Sequence, residues 1–140
     1  MHSLHHLWMK TYLRMKRLVS AQAAPLGLSP GQPKILEFLK QHGEHEQKDI
    51  ADYCEIEPAT VGSILLRMET AGLVTRRNRP DNRRSLYVSL TPTGQKMAQT
   101  VQDIFAAAEA QITAGLTEEE RATLYELLSK CLQNGKGTVK

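Results

Sequence analysis

Apolar residues in this chain recur every three or four positions, except across residues 73–90, where they fall in short alternating runs. One short β-type interruption in an otherwise helical pattern restricts the fold to helices around a small β element. Leu4, Leu7, Trp8, Met15 and Leu18 stripe the first helix. Ile35, Leu36 and Leu39 stripe the second, and Ile50, Ala51 and Cys54 a short third over about residues 47–53. Val61, Ile64, Leu65 and Met68 mark a fourth, then Met97, Val101, Ile104, Phe105, Ala108 and Ile112 the longest. Leu124, Leu127, Leu128, Cys131 and Leu132 stripe the last. At 140 residues the chain has the size of one ordinary domain, and no apolar run is long enough for a membrane span.

Start and stop signals sharpen these boundaries. Ser29-Pro30 and Thr91-Pro92 read as a hydroxyl cap followed by proline at the first helical position, and Pro58 opens the fourth helix in the same way. Thr117 to Glu120 spells a capping box. His42-Gly43 and Ala71-Gly72 end helices, and Asn134 to Lys140 is expected to fray. Leu73-Val74-Thr75 and Leu86 to Leu90 read as strands flanking a polar turn, Asn78 to Asn82. The expected order is α-α-α-α-β-β-α-α, mainly α with a small β-hairpin. It divides into an N-terminal helix (1–28), a central unit (29–91) and a C-terminal pair of helices (92–140).

Charge is concentrated at one place. Arg76, Arg77, Arg79, Arg83 and Arg84 face only Asp81 within residues 76–84, a net +4, while the whole chain carries +3. The positive excess therefore belongs to the hairpin, which points to a polyanionic partner. Two short helices joined by the tight turn Glu55-Ile56-Glu57 make a helix-turn-helix, whose second helix can lie in a major groove. The basic hairpin that follows is a wing placed to meet backbone or minor groove. On the second helix, Thr60, Ser63 and Arg67 are the outward candidates, and the helix N-terminus at Pro58-Ala59 offers first-turn backbone N–H groups, from Ala59 onward, to phosphate or base edges. On the wing, Arg76, Arg79, Arg83 and Arg84 supply planar forks suited to phosphate.

Beyond these residues lies a resemblance. Gln47 to Ala51, Thr60-Val61, and Met68 to Val74 with Arg76 resemble the central motif of the MarR family. Asp81 to Arg84 and Val88 to Gly94 resemble its wing and the start of its long helix, so the likeness spans residues 28–97. It implies a winged helix-turn-helix transcription regulator that dimerises through its terminal helices and binds pseudo-palindromic double-stranded DNA. It further implies a repressor relieved by a small aromatic or lipophilic effector. Two departures stand out: Thr60-Val61-Gly62-Ser63 replaces the usual Thr-Val-Ser-Arg, and Asn82 stands where the family prefers aspartate.

Other readings carry less. Trp8, Tyr12, Met15, Phe38 and Met97 are candidates to line an effector pocket, or are plain core. His42 to Glu46 invites a metal-sensing reading, but no histidine on the long helix completes a tetrahedral set, so no metal is expected. Cys54 and Cys131 make no disulfide framework and are expected to pack rather than switch. No nucleophile–base pair, phosphate loop or dinucleotide fingerprint appears, so neither an enzyme nor a cofactor is expected. The first residues lack secretory-signal character, which fits a cytoplasmic protein without membrane contact. The stripes on the first and last helices need a surface to bury against, which a second copy of the chain is expected to supply. The alternative of another class is a winged-helix module that binds proteins and never DNA.

Overall fold

A computed structural model describes residues 1–135, and by contact density the chain divides into Met1–Ala108 and Glu109–Lys140. The first unit holds α1 (Leu4–Ala23), a single 3-10 turn (Ala24–Leu26), α2 (Gln32–His42), β1 (His45–Glu46), α3 (Gln47–Cys54) and α4 (Pro58–Thr70). It continues with β2 (Val74–Arg79), β3 (Asn82–Leu90) and most of α5 (Pro92–Ile112). The second holds the last turn of α5 and α6 (Glu118–Gly135). The helical order matches the sequence pattern, and no described helix is long and apolar enough to cross a membrane.

The core forms where stripes from four helices meet one face of the sheet. Ile35, Leu36, Ile50, Val61, Leu65, Met68, Val74, Val88 and Val101 are fully buried together. Each such side chain removed from water contributes roughly 1.5–3 kcal/mol. The two turns of the helix-turn-helix unit close by the same device. Glu55 sits left-handed at φ 55° while Ile56 N–H bonds the Ala51 carbonyl, and Gly72, at φ 77°, lets Leu73 N–H bond the Met68 carbonyl. Both are six-to-one closures that satisfy helix-end carbonyls and turn the chain sharply.

Three local expectations need correction. The second helix starts at Gln32, not at Ser29-Pro30. Gly31, at φ 94°, makes the cap, Pro33 takes the early helical position, and Ser29 to Gln32 form a preceding turn. The hairpin is longer than its apolar alternation, because its strands continue through polar residues to a tip at Pro80-Asp81. Ladder hydrogen bonds do not depend on side-chain polarity, so periodicity underestimates such strands. His45–Glu46 adds a third strand, paired antiparallel to Val88 and Tyr87, giving the order β1-β3-β2. Asn134 and Gly135 belong to α6, and the rest of the expected frayed tail lies outside the described residues.

The return from wing to α5 is tightly clamped. Thr91 Oγ1 bonds the Gly72 carbonyl at 2.6 Å and accepts Gly94 N–H at 2.9 Å, while Thr91 N–H bonds the Leu73 carbonyl at 3.0 Å. Thr91 thus caps α5 and ties it to the end of α4. A Cβ on Gly94 would run into the Leu73 carbonyl itself, which is backbone and cannot move aside cheaply. Gly94→Ala is therefore expected to cost about 3 kcal/mol, the upper part of the usual overpacking range, read as a lower urea midpoint with unchanged slope.

Candidate nucleic-acid interface

Burial on α4 decides what this helix can present. Val61, Ile64, Leu65 and Met68 are buried, which leaves Pro58, Ala59, Ser63, Leu66 and Arg67 facing out. Thr60 is exposed too, but it borders a cavity beside Ile56 and Ile64. Leu66 is a large apolar residue on the open face that the motif reading passed over. Its position off the buried stripe was the available signal. A Cβ on Gly62 would come within 3.3 Å of the Gln47 side-chain amide, a tight approach that the glycine avoids.

The five hairpin arginines fall into three groups. Arg76 lies on the inner face, pairs with Glu69 at 3.2 Å and donates to Gln47 at 3.3 Å; only 16% of its side chain is exposed. Arg77 and Arg79 lie on the outer face, both ion-paired to Glu44, at 3.2 and 3.0 Å. Arg79 also stacks 4.0 Å over the Tyr87 ring, whose hydroxyl donates to Glu46. Arg79 holds the Glu44 carboxyl below the usual carboxylate range, with Ser89 and Arg77 assisting against a smaller desolvation effect. Arg83 and Arg84 have no side-chain partner among the described residues. With Glu44 and Glu69 counted, the local excess of four falls to two: one at the tip, where Arg83 and Arg84 face Asp81, and one where Arg77 and Arg79 share Glu44.

The Arg83 carbonyl accepts the Asn78 amide at 2.7 Å, and Arg84 is held by Asn82. Its Oδ1 accepts Arg84 N–H at 3.2 Å, and its amide donates to Ser85 Oγ. Asparagine thus shapes the turn without neutralising a guanidinium. A cleft of about 250 Å³ brings Arg84 and Ser85 together with Gln47, Lys48 and Pro58. Arg84, Lys48 and the start of α4 converge there, but Glu46 lines the cleft too and pairs with Lys48 at 3.7 Å, so Arg84 is the cation left for a phosphate oxygen. Lys48 reaches this cleft only because β3 lies beside α3.

Behind α4 is a second cavity of about 280 Å³, bounded by α1, the turn before α2 and α4. Tyr12 and Met15 line it, together with Lys16, Ser29, Lys34 and Phe105. Of the other expected pocket residues, Trp8 is half exposed on α1 and Met97 packs against the core. Phe38 is buried amid the rings of His42, His45 and Tyr53. Ser29 Oγ is buried at the cavity with no hydrogen-bond partner among the described residues. A buried hydroxyl without a partner carries a free-energy cost that a polar ligand atom would remove.

Among the described residues, no cluster of three or more histidine, cysteine or acidic side chains could hold a metal ion. Cys54 is buried, and burial pushes its thiol up to about 11. Cys131 is exposed in the single chain, against the expectation that the α6 stripe would cover it. Leu124, Leu127, Leu128 and Leu132 on the same helix are exposed as well.

Residues 28–86 match the family described as MarR. The chain is 30% identical over 131 residues to the HTH-type transcriptional repressor MdtR of Bacillus subtilis, covering 94% of this chain and 82% of that one. It is 34% identical over 109 residues to the homoprotocatechuate degradative operon repressor of Escherichia coli, covering 77% and 73%. Its fold is similar to that of S. aureus MepR in a DNA complex, with a TM-score of 0.84 at 24% identity over 96% and 99% of the chains. The buried thiol gives a direct check: in Cys131→Ser protein, Ellman's reagent at pH 8 should find no reactive thiol until the chain is unfolded.

Proposed function

The chain belongs to the MarR family of helix-turn-helix transcription regulators, and from that premise we propose that it is a homodimeric repressor of pseudo-palindromic DNA sites. It is a regulator and not an enzyme. The observation that carries the DNA reading is the pair of guanidiniums at the wing tip, Arg83 and Arg84, without an ion pair among the described residues. Helix α4 enters the major groove with Ala59, Ser63, Leu66 and Arg67 toward the base edges, and its N-terminus at Pro58 meets the backbone. Arg76 acts inside the protein, because its fork is already bound to Glu69 and Gln47.

Dimerisation gives the uncovered stripes their partner. Leu4, Leu7 and Trp8 on α1, and Leu124, Leu127, Leu128 and Leu132 on α6, are exposed large apolar residues. Such stripes are costly in water and are covered when two copies of the chain pair about a two-fold axis. Two-fold symmetry requires half-sites about 34 Å or 10 bp apart, centre to centre. The cytoplasm, where DNA is reached, is the compartment this reading implies. By function, 1–28 and 92–140 serve dimerisation and 29–91 serves DNA.

The cavity behind α4 supports an effector. Its walls are largely apolar, which suits a small aromatic or lipophilic body. Lys16, Lys34 and the unpartnered Ser29 hydroxyl favour an acidic group on that body. An effector that binds the DNA-free arrangement more tightly relieves repression by that difference in affinity.

The wing assignment is tested by fluorescence anisotropy with duplex from upstream of the chain's own gene. Arg84→Ala should weaken binding and flatten the logarithmic salt slope by about one unit. Arg76→Ala should leave the slope unchanged and lower stability by about 1 kcal/mol, since its pair is only partly buried. An unchanged slope for Arg84→Ala removes the tip from the interface. No binding to any duplex at low salt favours a protein-interaction module instead.

A further inference from the structure

The wing reaches beyond the part of the sheet that can hold it steady. Strand β1 pairs only with Val88 and Tyr87, so from Asn78 to Leu86 the hairpin has two strands. An isolated two-stranded ribbon is marginal in water. A bulge between Asn78 and Arg79 interrupts even that ladder, and a bulge bends and twists the strand that carries it. The two free arginines lie just past this weak point.

Glu44 spans the weak point. It immediately precedes β1, outside the hairpin, and its side chain is 21% exposed. One carboxylate oxygen pairs with Arg79 on the far side of the bulge, and the other with Arg77 on the near side. The second oxygen also accepts Ser89 Oγ–H at 3.0 Å from β3. Tyr87 closes the arrangement, with its ring under Arg79 and its hydroxyl on Glu46 of β1. All three strands are thus fastened together across the irregularity.

We propose that Glu44 is a positioning residue for DNA binding, a carboxylate brace that fixes the angle of the wing through Arg77 and Arg79. These two arginines therefore hold the wing up rather than contact phosphate. The proposal rests on the DNA-binding reading above. It makes a prediction opposite in sign to simple electrostatics. Removing a negative charge beside a DNA-binding surface should tighten binding, whereas removing a brace should loosen it.

The test uses the full chain and duplexes that it enriches from a random pool, with binding followed by anisotropy across a salt series. Glu44→Gln is expected to weaken binding about three- to fivefold, the size of a well-formed exposed ion-pair network. The Arg77→Gln/Arg79→Gln variant should weaken it similarly while leaving the salt slope unchanged. The triple variant should be no weaker than either, because both changes remove the same brace. Glu44→Asp, one methylene short, should restore binding only in part.

Tighter binding by Glu44→Gln overturns the proposal. So does a slope that falls by about two in the double-arginine variant, since that is the signature of two lost phosphate contacts. Should Glu44→Gln fail to fold, the double-arginine slope decides alone. A wild-type chain that enriches no duplex overturns the DNA reading and this proposal with it. Enrichment followed by either contrary result overturns only the brace.

Discussion

The dual duty of α4 is the constraint on which the rest of this structure depends. Val61 and Leu65 are fully buried, as is Met68, and Ile64 is nearly so, so one side of the helix is core. The opposite side, from Ala59 through Ser63 to Arg67, stands in solvent. A helix can carry a reading surface without shifting only if its other surface is anchored, and four buried side chains supply roughly 6–12 kcal/mol of anchoring. The clamp at Thr91 belongs to the same arrangement. It binds the end of α4 to the start of α5 and so sets where the hairpin between them leaves the core.

Electrostatics in this chain is a matter of place more than amount. A count along residues 76–84 finds five guanidiniums and one carboxylate, yet the fold brings Glu69 and Glu44 from elsewhere to three of the five. What remains is a charge of two, half of it at the end of a lever and half where Arg77 and Arg79 share Glu44. A guanidinium held by a carboxylate offers less to a phosphate, because both compete for the same donor fork. What matters for a polyanion is therefore which donor forks are left open after folding, and here those are Arg83 and Arg84.

That distinction also marks how far the sequence could be read. The helices were legible because a 3.6-residue stripe reports burial directly, and the caps at Thr91 and Thr117 were legible because their partners lie three residues away. Ser29-Pro30 misled because Gly31 and Pro33 offered a second start just downstream, and a left-handed φ at glycine is invisible in a residue pattern. Strand β1 is two residues long and has no period to detect. The Glu44 pairs join positions 33 and 35 residues apart, and the cleft joins Lys48 to Arg84. Only tertiary packing makes those neighbours. Trp8, Phe38 and Met97 were grouped with Tyr12 and Met15 by residue type, and type does not say which side of a helix meets a void.

The cavity and the reading surface share α4, and this bears on how one could govern the other. Thr60 and Ile64 border the cavity, while Ser63 and Arg67 stand on the outer face within one turn of them. The helix backbone is stiff over that distance, so an object wedged against Thr60 and Ile64 moves Ser63 and Arg67 with it. Movement alone does not weaken DNA binding. An effector must prefer the displaced arrangement, and its influence is limited to that preference, which typically amounts to 1–3 kcal/mol of coupling. The unsatisfied Ser29 hydroxyl offers a source for it. A ligand atom that bonds Ser29 Oγ is anchored to the turn before α2, so the rest of the ligand presses on α4 from a fixed point. Gly31 stands close beside it, where a side chain would strike Ile64. The turn and the helix are thus in contact before any ligand arrives, and a displacement at one is felt at the other without a longer path between them.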